Sequence, residues 1–484
     1  MTHSTLEAQA PLRHPVDLAV GFNWFEHLGA GGHYARWERY PLSTPVYPDM
    51  ADRAGWEAIR EGLDTLNPGW IRFGLPPDPH VRADGSFHGE TVHMERLAWL
   101  DAWAAKAGAT LLLDPFVMPA YFEFPVPPGT RNPGTAIINM AAEDNVAYAE
   151  RFVVPLLEHV LNTMGLTQVR YFNPINEPME YGVYQTPGDT PPAMAHYVSM
   201  MQAIRTALDA AGITRDRIGL LGLDTIEPLH HLLDQHRLGV DLDPYVDAYS
   251  VHHYNLRFDH QPPLHLPDTG RHYFIKGMNV VLEQDDRLVL EYARLRGKPL
   301  WALEMGTFYY GKFSNPAGVA SLPATMIVAE GIIRAINMGI TAFCLWSLMN
   351  SNDVDGHWAV MGHQNGQLVR HGYPFAVYGL LSEAIRPRAT VTPLMDASGN
   401  EILHVHGTML TDTDGTRHVI VINDNDTDAR VVTLRLPDAS REDSLWHGQM
   451  VTSGVYNESM EPVFSRDGAL SLTVPPLTLV SLRA

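Results

Sequence analysis

Two glutamates stand at the ends of short apolar runs. Glu177 follows the run "VRYFN" in "VRYFNPINEPMEYG", with Asn176 before it and Pro178 after it, and Glu304 closes the run in "LWALEMGTF". A lone carboxylate at such a point is either a solvated rim group or one half of an ion pair. Two that face each other can divide a displacement: at a separation of about 5 to 5.5 Å, one attacks an electrophilic carbon while the other protonates the leaving oxygen. Other run ends carry Arg72 in "WIRFG", the cluster His252, His253 and Tyr254 in "AYSVHHYN", and Trp346 in "FCLWSLMN". Adjacent strand residues point to opposite sides, so one of the two histidines faces the site while the other packs outward. Trp346 is either a stacking platform or core, and Arg72 either holds a reactive carboxylate or makes a structural ion pair.

Positioning these groups needs a scaffold that brings strand ends together. Eight short apolar runs alternate with amphipathic segments: "LAVGF" from Leu18, "WIRF" from Trp70, "TLLLD" from Thr110, "VRYFN" from Val169, "IGLLGL" from Ile218, "AYSVHH" from Ala248, "PLWALE" from Pro299 and "AFCLW" from Ala342. Between them the spacing predicts helices. Met194, Tyr197, Val198, Met201, Ile204 and Leu208 share one face before a stop at Gly212, and Phe152, Leu156 and Val160 share another after a cap at Asp144. Eight βα units with nearly continuous apolar strands predict an α/β fold, a (β/α)8 TIM barrel over residues 1–386. The βα loops converge at the C-terminal face of such a barrel, and the fourth and seventh strands lie across its mouth. After "RPRATVTP" the runs "EILHVHGTML", "TRHVIVIND", "ARVVTLRL", "ALSLTV" and "LTLVSLRA" are short and alternating, with turns such as "NDNDTD" between them. They predict an all-β sandwich over residues 387–484.

Further polar groups fall near the expected mouth. Strand one runs into "GFNWFEHLGAGGHY", offering Asn23, Trp24, Glu26 and His27 for hydroxyl contacts, and "NDVDGHW" after strand eight carries Asp353, Asp355 and His357, which either clamp hydroxyls or form a polar turn.

The pairing of "NPINEPMEYG" with "WALEMG" resembles the retaining glycoside hydrolases of clan A, which carry Asn-Glu-Pro after strand four and a nucleophilic Glu at the end of strand seven. The resemblance spans the barrel, and the C-terminal domain is similar to that of families 30 and 39. It implies that Glu177 is the acid/base and Glu304 the nucleophile, each tuning the other. It also implies that Arg72 holds the nucleophile ionised, that one histidine of the pair, His252 or His253, faces the sugar, and that Tyr254 donates to the nucleophile. Asn176 would offer its amide to the sugar 2-hydroxyl, a contact that strengthens in the transition state. "DPFVMPAYFEFP" resembles the Pro-aromatic loop of these families, with Tyr121 and Phe122 as platform residues. The implied substrate is a small β-linked or α-L-linked glycoside or oligosaccharide, trimmed from its end, with no cofactor and no metal.

Composition limits the rivals. Lys plus Arg total 34 against 55 Asp plus Glu, a net charge of −21 with no basic run, which disfavours nucleic acid as a partner. No stretch of about 18 apolar residues exists to cross a membrane. Cys344 is the single cysteine, which rules out an intrachain disulfide and fits a reducing compartment. With no basic, apolar leader in "MTHSTLEAQAPLRHPVDL", the expected location is cytoplasmic. A metal-dependent barrel hydrolase calls for His-X-His after strand one, whereas the only such pair, His404 and His406, lies in the β-domain. A transglycosylase using the same two carboxylates, or a barrel that binds carbohydrate without turning it over, stays open as an alternative.

Overall fold

The computed structural model describes residues 2–13, 17–25, 53–115, 118–122, 144–178, 193–225, 228–255, 286–307, 321–348, 359–364, 367–425, 427–436 and 444–484. Its first strands, β1 (Thr2–Ala8) and β2 (Leu12–Arg13), belong to the C-terminal sheet. This corrects the expectation that residues 1–386 form the barrel alone. With only Ser4 and Leu6 buried, "THSTLEA" carries too weak an apolar pattern to announce a strand.

The barrel follows. Strands β3 (Ala19–Phe25), β4 (Trp70–Gly74), β5 (Thr110–Asp114), β6 (Val169–Phe172), β7 (Gly219–Thr225), β8 (Ala248–Asn255), β9 (Leu300–Thr307) and β10 (Ala342–Leu345) pair in parallel and close into a ring, β10 returning to β3. Each apolar run contributes one strand, as its buried, non-alternating character requires. The connecting helices bury the faces that the spacing marks. Asp144 caps its helix by accepting from the backbone N–H groups of Val146 and Ala147. Met194, Tyr197, Met201, Ile204 and Leu208 lie in the main core, and Gly212 takes the left-handed backbone (φ 75°) just after their helix ends.

Inside the ring, Trp70, Tyr171 and Trp301 plug the N-terminal end, with ring centroids 4.7 to 5.3 Å apart. Both indoles donate to Asp17, Trp70 to its carbonyl and Trp301 to its carboxylate. Gly21 makes the plug possible, because a methyl there would come within 2.3 Å of the Trp70 carbonyl oxygen. Leu112, Leu221, Leu303 and Cys344 form part of the same apolar interior. Burial pushes the Cys344 thiol up to about 12, so it serves as packing and not as a nucleophile.

A short hairpin, β11 (Met361–Gln364) and β12 (Gln367–Arg370), precedes the last barrel helix, Gly372–Ala384. The all-β domain then takes β13 (Thr390–Met395), β14 (Val405–Thr411), β15 (Arg417–Asn423), β16 (Arg430–Arg435), β17 (Ser444–Thr452), β18 (Val455–Ser465), β19 (Ala469–Val474) and β20 (Thr478–Arg483). The sheet runs β18-β17-β20-β15-β14-β13-β1-β16-β19, and β18 meets β19 again through their short connection, so the sheet curls around its own core. That core includes Leu6, Leu394, Val421, Leu434, Trp446 and Val480. The sequence pattern misses β17 and β18. β18 is an edge strand, largely exposed and carrying Pro462, so it shows little of the alternation of a half-buried strand. No helix among the described residues is long and apolar enough to cross a membrane.

Since β1 lies between β13 and β16, its apolar contact is integral to the second core. Leu6→Ala is expected to destabilise the β-domain by about 2–5 kcal/mol, read as a lowered midpoint in denaturant unfolding followed by tryptophan fluorescence.

Candidate active site

The C-terminal end of the barrel is organised around one guanidinium. Arg72 sits one alternation above Trp70 on β4 and is fully buried. Its Nε donates to Asp114 Oδ2 at 2.7 Å, Nη1 to Glu304 Oε1 at 2.7 Å, and Nη2 to Asn176 Oδ1 at 2.6 Å and Asp224 Oδ2 at 2.8 Å. Asn23 Oδ1 accepts from Nη1 at 3.3 Å, while the Asn23 amide donates to the carbonyls of Leu303, Cys344 and Leu345. Asn173 bridges the acids from below, donating to Asp114 at 2.9 Å and Asp224 at 2.6 Å. Burial alone would lower the Arg72 pKa, but Asp114, Asp224 and Glu304 raise it, so the cation is permanent.

Strand irregularities aim the acids. Between β8 and β9 the register passes from Val251–Ala302 to His252–Glu304, which leaves Leu303 as an extra residue on β9. Leu303 packs into the barrel interior, and Glu304 also turns inward onto Arg72. β7 has a similar slip at Asp224, where Leu223 and Asp224 take left-handed backbone with φ of 69° and 49°. Glu177, just beyond β6, is left-handed as well (φ 43°), and its N–H donates to the Asp224 carbonyl at 3.1 Å. Strain of this kind is held by surrounding contacts and gathers where side-chain direction matters.

His252 links the two glutamates. Its Nδ1 lies 2.7 Å from Glu177 Oε1 and 3.5 Å from Glu304 Oε2, and its Nε2 lies 2.9 Å from Asp224 Oδ1, which also accepts from Ser250 at 2.6 Å. One nitrogen of His252 and one oxygen from each glutamate all fall within 4.8 Å of one another. Burial would lower the His252 pKa, but Glu304 and Asp224 together with the carboxylate hydrogen bonds raise it well above the usual imidazole value. The raised value favours the imidazolium, which donates from both nitrogens. Burial would likewise raise Asp224, yet Arg72 and His252 hold it well below the usual carboxylate range.

No family model matches the sequence, and no curated protein is similar to it. Solved structures are. A family 30 endoxylanase from Clostridium papyrosolvens C71 aligns with a TM-score of 0.63 at 12% identity, covering 100% of both chains. The catalytic domain of a family 30 xylanase C from Talaromyces cellulolyticus gives 0.62 at 13%, covering 99% of each chain. An α-L-arabinofuranosidase from Thermotoga maritima, solved with arabinose, gives 0.62 at 14%, again over 99% of each chain. The fold resembles that of clan A glycoside hydrolases. At this identity the likeness is one of architecture, and it agrees with the barrel and all-β domain expected from the sequence.

Of the residues singled out in the sequence, the structure gathers Glu177, Glu304, Asn176, Arg72 and His252 into one constellation. His253 points outward to Asp286, Nε2 to Oδ2 2.8 Å, as strand alternation requires. Trp346 follows β10, half-buried and packed against the main core. Tyr121 is 47% exposed, with the Arg151 guanidinium 5.2 Å from its ring centroid and Phe122 edge-on at 5.0 Å. Phe122 is buried against Tyr148 and Phe152. Trp24 points out of the barrel onto Phe73 and Trp99. Glu26, His27, Asp353, Asp355 and His357 lie outside the described residues, as does the Tyr254 side chain, whose backbone pairs with Gly306 on β9. Asp114, Asn173, Asp224 and Ser250 are members that sequence reasoning missed. Asp114 ends "TLLLD" and Asp224 follows "IGLLGL", so the strand-end rule that found the glutamates applied to them too.

Removing the guanidinium leaves three buried carboxylates facing one another. Arg72→Met is therefore expected to cost about 3–5 kcal/mol in chemical denaturation. The Asp224 contribution to stability is full above the ordinary carboxylate range and is lost as pH falls through its depressed value. That of His252 is full below the ordinary imidazole range and is lost as pH rises through its raised value. The melting temperature should accordingly hold a plateau between the ordinary carboxylate and imidazole ranges and fall on both sides of it, with His252→Gln lowering the plateau and flattening the alkaline fall.

Proposed function

We propose that the protein is a retaining glycoside hydrolase working by double displacement, with Glu304 as nucleophile and Glu177 as acid/base. The observation that carries this reading is the convergence of one oxygen from each glutamate, within 4.8 Å, at the ends of β6 and β9. A pair this close suits direct attack better than the roughly 6.5–9.5 Å that an inverting enzyme needs to admit water between its acids. In the first step a Glu304 oxygen bonds to the anomeric carbon as the bond to the leaving oxygen breaks and Glu177 gives that oxygen its proton. In the second, Glu177 takes a proton from water, whose oxygen displaces Glu304 from the same carbon.

The neighbouring groups have matching tasks. Arg72 sets a permanent positive charge 2.7 Å from Glu304 Oε1 and fixes the plane of the attacking carboxylate. By accepting from Arg72, Asn176 Oδ1 sets the direction of its amide, whose nitrogen makes no hydrogen bond to any described residue and is left to meet the sugar 2-hydroxyl. His252 orients Glu177 through the 2.7 Å contact at Oε1. Tyr254, which precedes Asn255 at the end of β8, is the proposed donor to Glu304.

The substrate is proposed to be a small β-linked or α-L-linked glycoside or oligosaccharide, cleaved from its end. Xylanases and an arabinofuranosidase among the fold's neighbours support this range of sugars. The net charge of −21 argues against a strongly anionic polymer. A cytoplasmic working place, for which the single cysteine is the support, would favour small soluble glycosides.

A nitrophenyl-glycoside panel followed by trapping with a 2-fluoro glycoside tests the assignment. Mass spectrometry should find the label on Glu304, and Glu304→Ala should lose several orders of magnitude in kcat. Glu177→Ala should lose roughly 10²–10⁴-fold on poor leaving groups and far less on good ones. Asn176→Ala should lower kcat by roughly 10²-fold. A label on another residue, or equal losses on good and poor leaving groups, would refute the roles.

A further inference from the structure

A second cluster of metal-ligating side chains lies outside the barrel mouth, where the barrel helix Leu322–Met338 meets β14 and the end of β15. Glu330 on the helix, His406 on β14 and Asp424 just past β15 each offer one donor atom, and the three atoms lie within 4.8 Å of one another. Glu330 and His406 are almost wholly buried, and Asp424 keeps 17% of its side chain open, an entry path from solvent.

The distances separate this cluster from the active-site triad. At His252 the contacts to Glu177 and Asp224 are 2.7 and 2.9 Å, the lengths of charge-assisted hydrogen bonds. At His406, Nε2 stands 3.4 Å from Glu330 Oε1 and 3.9 Å from Asp424 Oδ2. Both are long for hydrogen bonds; the first matches an edge of a coordination polyhedron, whose ligands about 2.0–2.2 Å from one ion lie roughly 3–3.6 Å apart, and the second is somewhat wider.

Neighbouring charges frame the cluster: Arg334 Nη1 lies 2.6 Å from Glu401 Oε2 and 3.4 Å from Glu330 Oε1. His404 Nδ1, 2.8 Å from Asp424 Oδ1, is placed to orient the carboxylate as an outer partner.

We propose that Glu330, His406 and Asp424 form a structural site for a divalent transition metal, zinc by preference, that fastens the barrel helix to the β-domain, with water completing the shell. One imidazole and two carboxylates suit zinc better than a hard cation such as calcium, which takes six to eight oxygens. The site is separate from the glycosidase chemistry and stands whether or not that reading holds.

Chelator-treated full-length protein should bind about one equivalent of Zn²⁺ by calorimetry, and its melting temperature should rise by a few degrees in excess Zn²⁺. His406→Gln and Asp424→Asn should each lose at least tenfold in Zn²⁺ affinity and the thermal shift, whereas Glu177→Gln should keep both. Anomalous diffraction at the zinc edge from soaked wild-type crystals, which does not depend on any variant folding, should place the ion between Glu330 and His406. No Zn²⁺ uptake by the wild type, an ion located elsewhere, or uptake lost in Glu177→Gln but kept in the two junction variants would overturn the proposal.

Discussion

The barrel mouth depends on the burial of one guanidinium. Taking Arg72 out of water costs several kcal/mol, and the cost is recovered only because its planar fork meets acceptors on several sides at hydrogen-bond distance. A lysine could supply the charge but not the fan of donors that reaches β5, β7, β9 and the turn after β6 at once. Each acid in turn requires the cation, since Asp114, Asp224 and Glu304 could not share this volume without it. The arrangement thus fixes three strand ends against one another.

The strained backbone of Glu177, Leu223 and Asp224 follows from the same constraint. Regular alternation along β7 and β9 would send one or both acids outward, so each strand takes an extra residue to turn its acid inward. Glu177 joins them through its N–H to the Asp224 carbonyl, which couples the bend after β6 to the bulge on β7. Local conformations that cost energy alone are held here by a hydrogen-bond set with several redundant members.

Those devices explain what could be read from the sequence. The eight strands were legible because a parallel barrel strand is apolar on both faces, and the two glutamates because Glu177 follows such a run between Asn176 and Pro178 and Glu304 closes another. Asp114 and Asp224 were less visible because an Asp after an apolar run also reads as a turn or helix cap. The bulges leave no mark in residue type: nothing in "LLGLDT" or "WALEMG" says which residue is the extra one. β1 was missed because its partners, β13 and β16, lie near the other end of the chain and its pattern is half polar.

The N-terminal strand and the candidate site are nonetheless connected. β1 and β2 are held in the β-domain sheet by pairing with β13 and β16, and the chain passes from β2 to β3, the strand that closes the ring by pairing with β10. The segment before β3 and the segment after the last barrel helix are therefore fastened in one sheet, which sets where β3 enters. Asp17 then takes the Trp301 and Thr341 side chains, and Asn23 takes the carbonyls of β9 and β10. Since Asn23 also accepts from Arg72, the seam of the barrel, fixed from the β-domain side, adjoins the groups gathered around that guanidinium. A fold in which ring closure and guanidinium placement share one residue gives the accessory domain a mechanical reason to remain attached to the barrel.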